Sequence, residues 1–156
     1  VYVLPMSTIS NFDVNAFDIV DKDYTMQQID DVDRIDIVNN GEQNSITIKR
    51  KGKAGDKNSS TVYTVNNKNV KEDDFNSFYQ TLIGLSLEGE NDKELADKPE
   101  IKTVFYLNKG SDKQLTFDYV PYNSDYYAVF KNGKSQFLIS KTQLEKMTDA
   151  LKKLTK

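Results

Sequence analysis

Ile35-Asp36-Ile37-Val38-Asn39-Asn40-Gly41 reads as the first strand and turn of a β-hairpin, and 69 residues further on Val104-Phe105-Tyr106-Leu107-Asn108-Lys109-Gly110 repeats its pattern. Residues 33–37 alternate polar and apolar side chains, as a half-buried strand requires. Asn39-Asn40-Gly41 tolerates positive φ and so turns the chain. Ser45-Ile46-Thr47-Ile48 returns as the second strand and falls on Gln114-Leu115-Thr116-Phe117 under the same shift. Farther on, Phe75, Phe78, Leu82 and Leu85 fall on Leu144, Met147, Leu151 and Leu154. Only the middle slips, by three residues, where Asn66-Asn67-Lys68 matches Asn132-Gly133-Lys134.

The spacing therefore predicts two copies of one unit, each a strand meander followed by a helix. Thr61-Val62-Tyr63-Thr64-Val65 adds a third strand to the first copy. Glu72-Asp73-Asp74 places acids where a helix start favours them, and Phe75, Phe78, Tyr79, Leu82 and Ile83 trace one helical face. In the second copy, residues 101–107, 114–120, 126–130 and 135–139 read as strands. Ser140-Lys141-Thr142-Gln143 has the form of a capping box for the last helix. Helices with one apolar stripe need a sheet face to cover them. The fold class expected is α+β: two tandem β-meander-plus-helix repeats, with antiparallel sheet and the helices packed on one face, in one continuous sheet or two. The units run 1–31 (an N-terminal strand and loop segment), 32–87 (repeat 1), 88–100 (connector) and 101–156 (repeat 2). In the first segment residues 14–20 suggest a strand, and Met26, Ile29 and Val32 are inward candidates. Phe78, Leu82, Phe117, Phe137, Met147 and Leu151 are expected in the core.

Composition narrows the chemistry. Of 156 residues, 17 are Phe or Tyr, enough aromatic area to separate this chain from a disordered one despite only 37% hydrophobic residues. There is no Cys and no His, which removes disulfides, thiolate metal sites, Cys nucleophiles and the commonest general base. The net charge of −3, with lysines dispersed among acids, gives no electrostatic footprint for nucleic acid. Nineteen of the 21 basic residues are Lys and 14 residues are Asn, a bias that suggests an AT-rich bacterial genome. No apolar run approaches the roughly 20 residues of a membrane span. The chain starts at Val1, so a leader or anchor before it is expected to lie outside this sequence.

Asp21, Asp23, Asp30, Asp31 and Asp33 form one acidic stretch, and Glu88, Glu90, Asp92, Glu94 and Asp97 another. Neither has the spacing or central glycine of an EF-hand loop, so both read as solvated loops. No pair among the 24 acids is singled out for glycoside hydrolysis. Neither a Ser-x-x-Lys arrangement nor a phosphate-binding glycine loop occurs. No catalytic residue, metal ligand or cofactor is therefore expected. The most individual segment is Asp118-Tyr119-Val120-Pro121-Tyr122-Asn123-Ser124-Asp125-Tyr126-Tyr127. Tyrosine on a loop makes rigid, amphipathic contact surface, so Tyr119, Tyr122, Tyr126 and Tyr127 are the candidate binding residues. The competing reading is that they close a wide turn and pack the sheet.

Several motifs resemble the uncharacterised bacterial domain-of-unknown-function family 4340. They are Phe78-Tyr79-Gln80-Thr81-Leu82-Ile83-Gly84-Leu85 with Glu88-Gly89, Lys98-Pro99-Glu100, residues 119–129, Asn132-Gly133-Lys134, and Phe137-Leu138-Ile139-Ser140-Lys141. The Tyr-Gly-Leu that many members carry before the Lys-Pro pair is missing. The resemblance spans residues 32–154 and implies an extracytoplasmic domain tethered to a bacterial membrane, near transport-system components. It carries over no functional residues. The function expected is that of an extracytoplasmic binding or interaction module without catalysis. Its partner would be another membrane-associated or cell-envelope protein, with no nucleic acid, and it would meet the membrane only through an anchor outside this chain. The alternatives are a structural ectodomain of a transport-associated membrane complex and a carboxylate-only hydrolase.

Overall fold

Ile35 and Ile37 are fully buried, and the polar residues that alternate with them face the other side of an antiparallel sheet. A computed structural model describes residues 25, 27–52, 59–95 and 98–156, the side chain of Gln136 excepted. The predicted strand within residues 14–20 lies outside the described residues, as do Met26, Asp21 and Asp23. A short 3-10 turn (Ile29–Asp31) leads into β1 (Val32–Asn39), β2 (Glu42–Lys51), β3 (Ser60–Val65), β4 (Lys68–Val70) and α1 (Glu72–Ile83). Then follow β5 (Gly89–Glu90), β6 (Ile101–Leu107), β7 (Gln114–Pro121), β8 (Tyr126–Lys131), β9 (Lys134–Ser140) and α2 (Lys141–Leu154). The class is α+β. Among the described residues the nine strands form one sheet in the order β4-β3-β2-β1-β6-β7-β8-β9-β5, and every neighbouring pair is antiparallel.

The helices pack against each other and cover one face. Phe78, Leu82, Phe117, Phe137, Met147 and Leu151 are all buried, as their spacing requires. Phe75 of α1 and Leu144 of α2 join them in the same cluster. On the opposite face, one rung across β7, β8 and β9 buries a second, smaller group, Val120, Ala128 and Leu138.

The uniform 69-residue shift does not carry through the strands. It would match Ile35 with Val104, yet Ile35 lies opposite Phe105, while Val104 lies opposite Asp36 on the other face. The turns show the register that the strands do use. Asn66 donates its N–H to the Ser45 carbonyl at 2.8 Å, and its Oδ1 accepts from the Ser45 N–H at 2.9 Å. Asn132 makes the same two bonds with Thr116, at 2.9 and 3.0 Å. The turns thus stand 66 residues apart and the strand positions they grip 71 apart. Most of the difference arises between the strands that follow: eight residues separate β2 from β3, but four separate β7 from β8. Upstream of both, β1 and β2 are joined through Asn40-Gly41 alone, whereas β6 and β7 enclose residues 108–112, closed by the Leu107 N–H on the Lys113 carbonyl at 2.9 Å.

Other local expectations need correction. The Ser140–Gln143 capping box does not form. The Ser140 hydroxyl instead donates to Glu88 at 2.7 Å, and Gln143 clamps the backbone of Ser86 through bonds of 2.8 and 3.0 Å while also reaching Glu88. The chain leaving α1 thus competes successfully for the groups that would have capped α2. The connector is not only a link, because it contributes β5 to the sheet edge beside β9. A further short strand, β4, three residues long, stands between β3 and α1. Thr25 sits with its hydroxyl 3.2–3.3 Å from the carbonyls of Leu82, Ile83 and Leu85, and so serves the end of α1. Tyr79 donates to the Gln27 carbonyl at 2.8 Å, holding the same entering segment.

Several acids of the two stretches have structural partners, while Asp97, like Asp21 and Asp23, lies outside the described residues. Asp31 pairs with Lys109 at 2.6 Å, and Asp33 accepts from Arg50 at 3.1 Å and Asn108 at 2.8 Å. Arg50 also reaches the Ile29 and Val32 carbonyls, which fastens the entry to β1.

Candidate functional site

Pro121 ends β7 and Tyr126 begins β8, so residues 122–125 form the tyrosine turn. Asn123 organises it: its Oδ1 accepts from the N–H groups of Asp125 at 2.9 Å and Tyr126 at 2.8 Å, the Asx geometry that favours asparagine in turns. The Tyr122 and Asn123 N–H groups both donate to the Tyr126 carbonyl. The Lys141 N–H donates to the Asp125 carbonyl at 2.8 Å, which docks the turn on the first residue of α2.

The four tyrosines of this segment do not share one surface. Tyr119 faces the main core and is 0% exposed, so it is withdrawn as a contact residue. Its strand position opposite Ile101 and Val129 points it under the helices. Burial raises its phenol pKa. Among the described residues, neither its hydroxyl nor the equally buried Thr103 hydroxyl has a hydrogen-bond partner. Tyr127 lies on the same side, packed at the edge of the core, and donates to Glu100 at 2.7 Å. Burial, then the Glu100 carboxylate, pushes its pKa up to about 12.

Tyr122 and Tyr126 lie on the other face. Tyr122 donates to Asp92 at 2.5 Å, and the Lys93 ammonium sits 4.0 Å from its ring centroid. The ring therefore fastens the connector, and the shared bond raises the phenol's pKa while lowering that of Asp92. Tyr126 is half-buried, opposite Ser140, and lines a cleft of about 280 Å³ with Ser124, Asp125, Ser140, Lys141, Thr142 and Glu145. The sequence pointed to the turn but not to the α2 residues that complete the cleft. Ser140-Lys141-Thr142 was legible as a helix start, but which turn abuts it is set by the pairing of β8 with β9.

The raised phenols make a pH prediction. Tyr63, Tyr79, Tyr119, Tyr122 and Tyr127 all have folded-state pKa values above the ordinary 10.0. Above pH 10 the unfolded chain loses protons that the folded chain keeps, so folding stability is full below that pH and falls as pH rises beyond it. Tyrosinate absorbance and unfolding should therefore appear together in a cooperative alkaline transition. Independent titration of these tyrosines near pH 10 in the folded protein would contradict the assignment.

No family model, curated protein or solved structure matches the chain. Among the described residues no helix is long and apolar enough to cross a membrane, and no three His, Cys, Asp or Glu side chains gather as a metal-ligand group.

Proposed function

We propose that this chain is a binding module without catalytic activity, an extracytoplasmic part of a bacterial membrane-associated protein like those of domain family 4340. Its two halves are tandem copies of one meander-plus-helix unit. The matching Asn66–Ser45 and Asn132–Thr116 turn bonds, and the buried helical pairs Phe75/Leu144, Phe78/Met147 and Leu82/Leu151, support that origin.

The observation that carries the binding reading is the cleft between the tyrosine turn and α2. It offers Tyr126 as an amphipathic anchor, surrounded by the hydroxyls of Ser124, Ser140 and Thr142 and by charges of both signs. Aromatic anchors set in a polar rim are what protein partners use. Of the cleft carboxylates, Asp125 already accepts from the Ser124 hydroxyl at 2.9 Å, which makes it part of the wall. The partner class is another membrane-associated or cell-envelope protein.

A photo-crosslinking residue in place of Tyr126, compared in living cells with one in place of the exposed Val62, tests this. The reading expects one discrete adduct from position 126, competed away by excess unlabelled domain, and none from 62. Adducts from 62 alone would favour a structural ectodomain that uses its open sheet instead.

A further inference from the structure

The chain contains two Asn-Gly dipeptides, Asn40-Gly41 and Asn132-Gly133, and both sit in two-residue hairpin turns. Their backbones are alike: Asn40 has φ 48° and Asn132 φ 50°, with Gly41 at 85° and Gly133 at 82°. Their side chains differ. The Asn132 Oδ1 accepts from the Thr116 N–H at 3.0 Å, so the amide is held against β7. The Asn40 amide has no such tether. Its Nδ2 donates to the exposed side chain of its neighbour Asn39 at 3.2 Å, and among the described residues no backbone N–H donates to its Oδ1. A Cβ at Gly41 would meet nothing within 4 Å, so the space beside the turn is open.

Asparagine before glycine is chemically vulnerable because the glycine nitrogen is sterically unhindered. The Gly41 nitrogen gives up its proton and attacks the Asn40 Cγ. A carbon–nitrogen bond forms, the side-chain amide bond breaks, and ammonia leaves with the proton. Water then opens the five-membered imide at either carbonyl, giving aspartate or isoaspartate; the net change is amide plus water to acid plus ammonia. Reaching that geometry requires the side chain to swing onto the next peptide. A side chain already hydrogen-bonded elsewhere must first break that bond.

We propose that Asn40 is a modification site, converted spontaneously to aspartate or isoaspartate in the folded protein, and that Asn132 is protected by its bond to Thr116. The consequence is local to the centre of the sheet. The Asn40 N–H donates to the Glu100 carbonyl at 2.8 Å, and the Glu100 carboxylate accepts from Tyr127. An isoaspartate adds a backbone atom within the turn that holds β1 and β2 in register, and either product places a new negative charge beside the start of β6.

Peptide mapping of the whole folded chain, over a time course in warm and mildly alkaline buffer, tests this. The readout is the mass gain of amide-to-acid conversion at each asparagine, with a parallel sample in urea. The folded chain should convert Asn40 about tenfold faster than Asn132, the factor that one hydrogen bond of extra barrier supplies. In urea the two rates should converge. Equal rates in the folded chain, faster conversion of Asn132, or an Asn40 that reacts only in urea would each overturn the proposal. The Asn40→Gln variant serves as the control, in which the signal at that turn should vanish while Asn132 behaves as before.

Discussion

Phe75→Ala is expected to remove about 3–5 kcal/mol of unfolding free energy, read as a lower urea midpoint at unchanged slope. Phe75 is 0% exposed and lies between two other rings. Its centroid is 4.2 Å from that of Tyr63 on β3 and 5.6 Å from that of Tyr79 one helical turn on, both stacked. The side chain therefore joins α1 to the sheet, and its loss leaves a cavity that neither tyrosine can fill without leaving its own contacts. Stacked aromatic pairs add about 0.5–1.5 kcal/mol beyond area burial, which places the cost at the upper end of the range. A loss below about 1 kcal/mol would place the ring near the surface.

Phe105→Ala should be equally damaging, about 3–5 kcal/mol, for a different reason. Phe105 sits on β6 where the two meanders join, opposite Ile35 of β1 and Leu115 of β7, and meets Phe117 edge-on at 6.0 Å between centroids. β1 and β6 are the strands through which β4-β3-β2-β1 and β6-β7-β8-β9-β5 become one sheet. Because Ile35 and Phe105 are direct cross-strand partners, a double-mutant cycle with Ile35→Ala should show coupling of about 0.5–3 kcal/mol. Strict additivity would mean that the seam is not paired in this register.

That seam shows where sequence reasoning stopped. Ile35 and Ile37 alternate with charged or polar residues, so their inward face was legible. Their counterparts lie in Val104-Phe105-Tyr106-Leu107, an apolar run in which either parity can be drawn. A slip of one residue exchanges the faces of a strand, and nothing local forbade it. Helix positions were read correctly because Phe75, Phe78 and Leu82, like Leu144, Met147 and Leu151, repeat at helical spacing with polar residues between. β4 and β5, of three and two residues, are too short to show a period.

The tyrosine segment failed in the same way as β6. In Tyr119-Val120-Pro121-Tyr122 both faces carry apolar or aromatic groups, since Tyr119 enters the main core and Val120 the smaller one behind it. The local motif at Ser140 failed for another reason: its groups found better partners in Ser86 and Glu88, 52 to 57 residues away along the chain.

The division of the tyrosines between core and cleft is the claim on which the candidate site rests, and urea unfolding of Tyr119→Ala beside Tyr126→Ala tests it most directly. The fully buried Tyr119 should cost about 3–5 kcal/mol when truncated, while the half-buried Tyr126 on the cleft wall should cost less than about 1 kcal/mol. Two equal losses, or a larger loss at Tyr126, would contradict the account and make the turn a structural feature throughout.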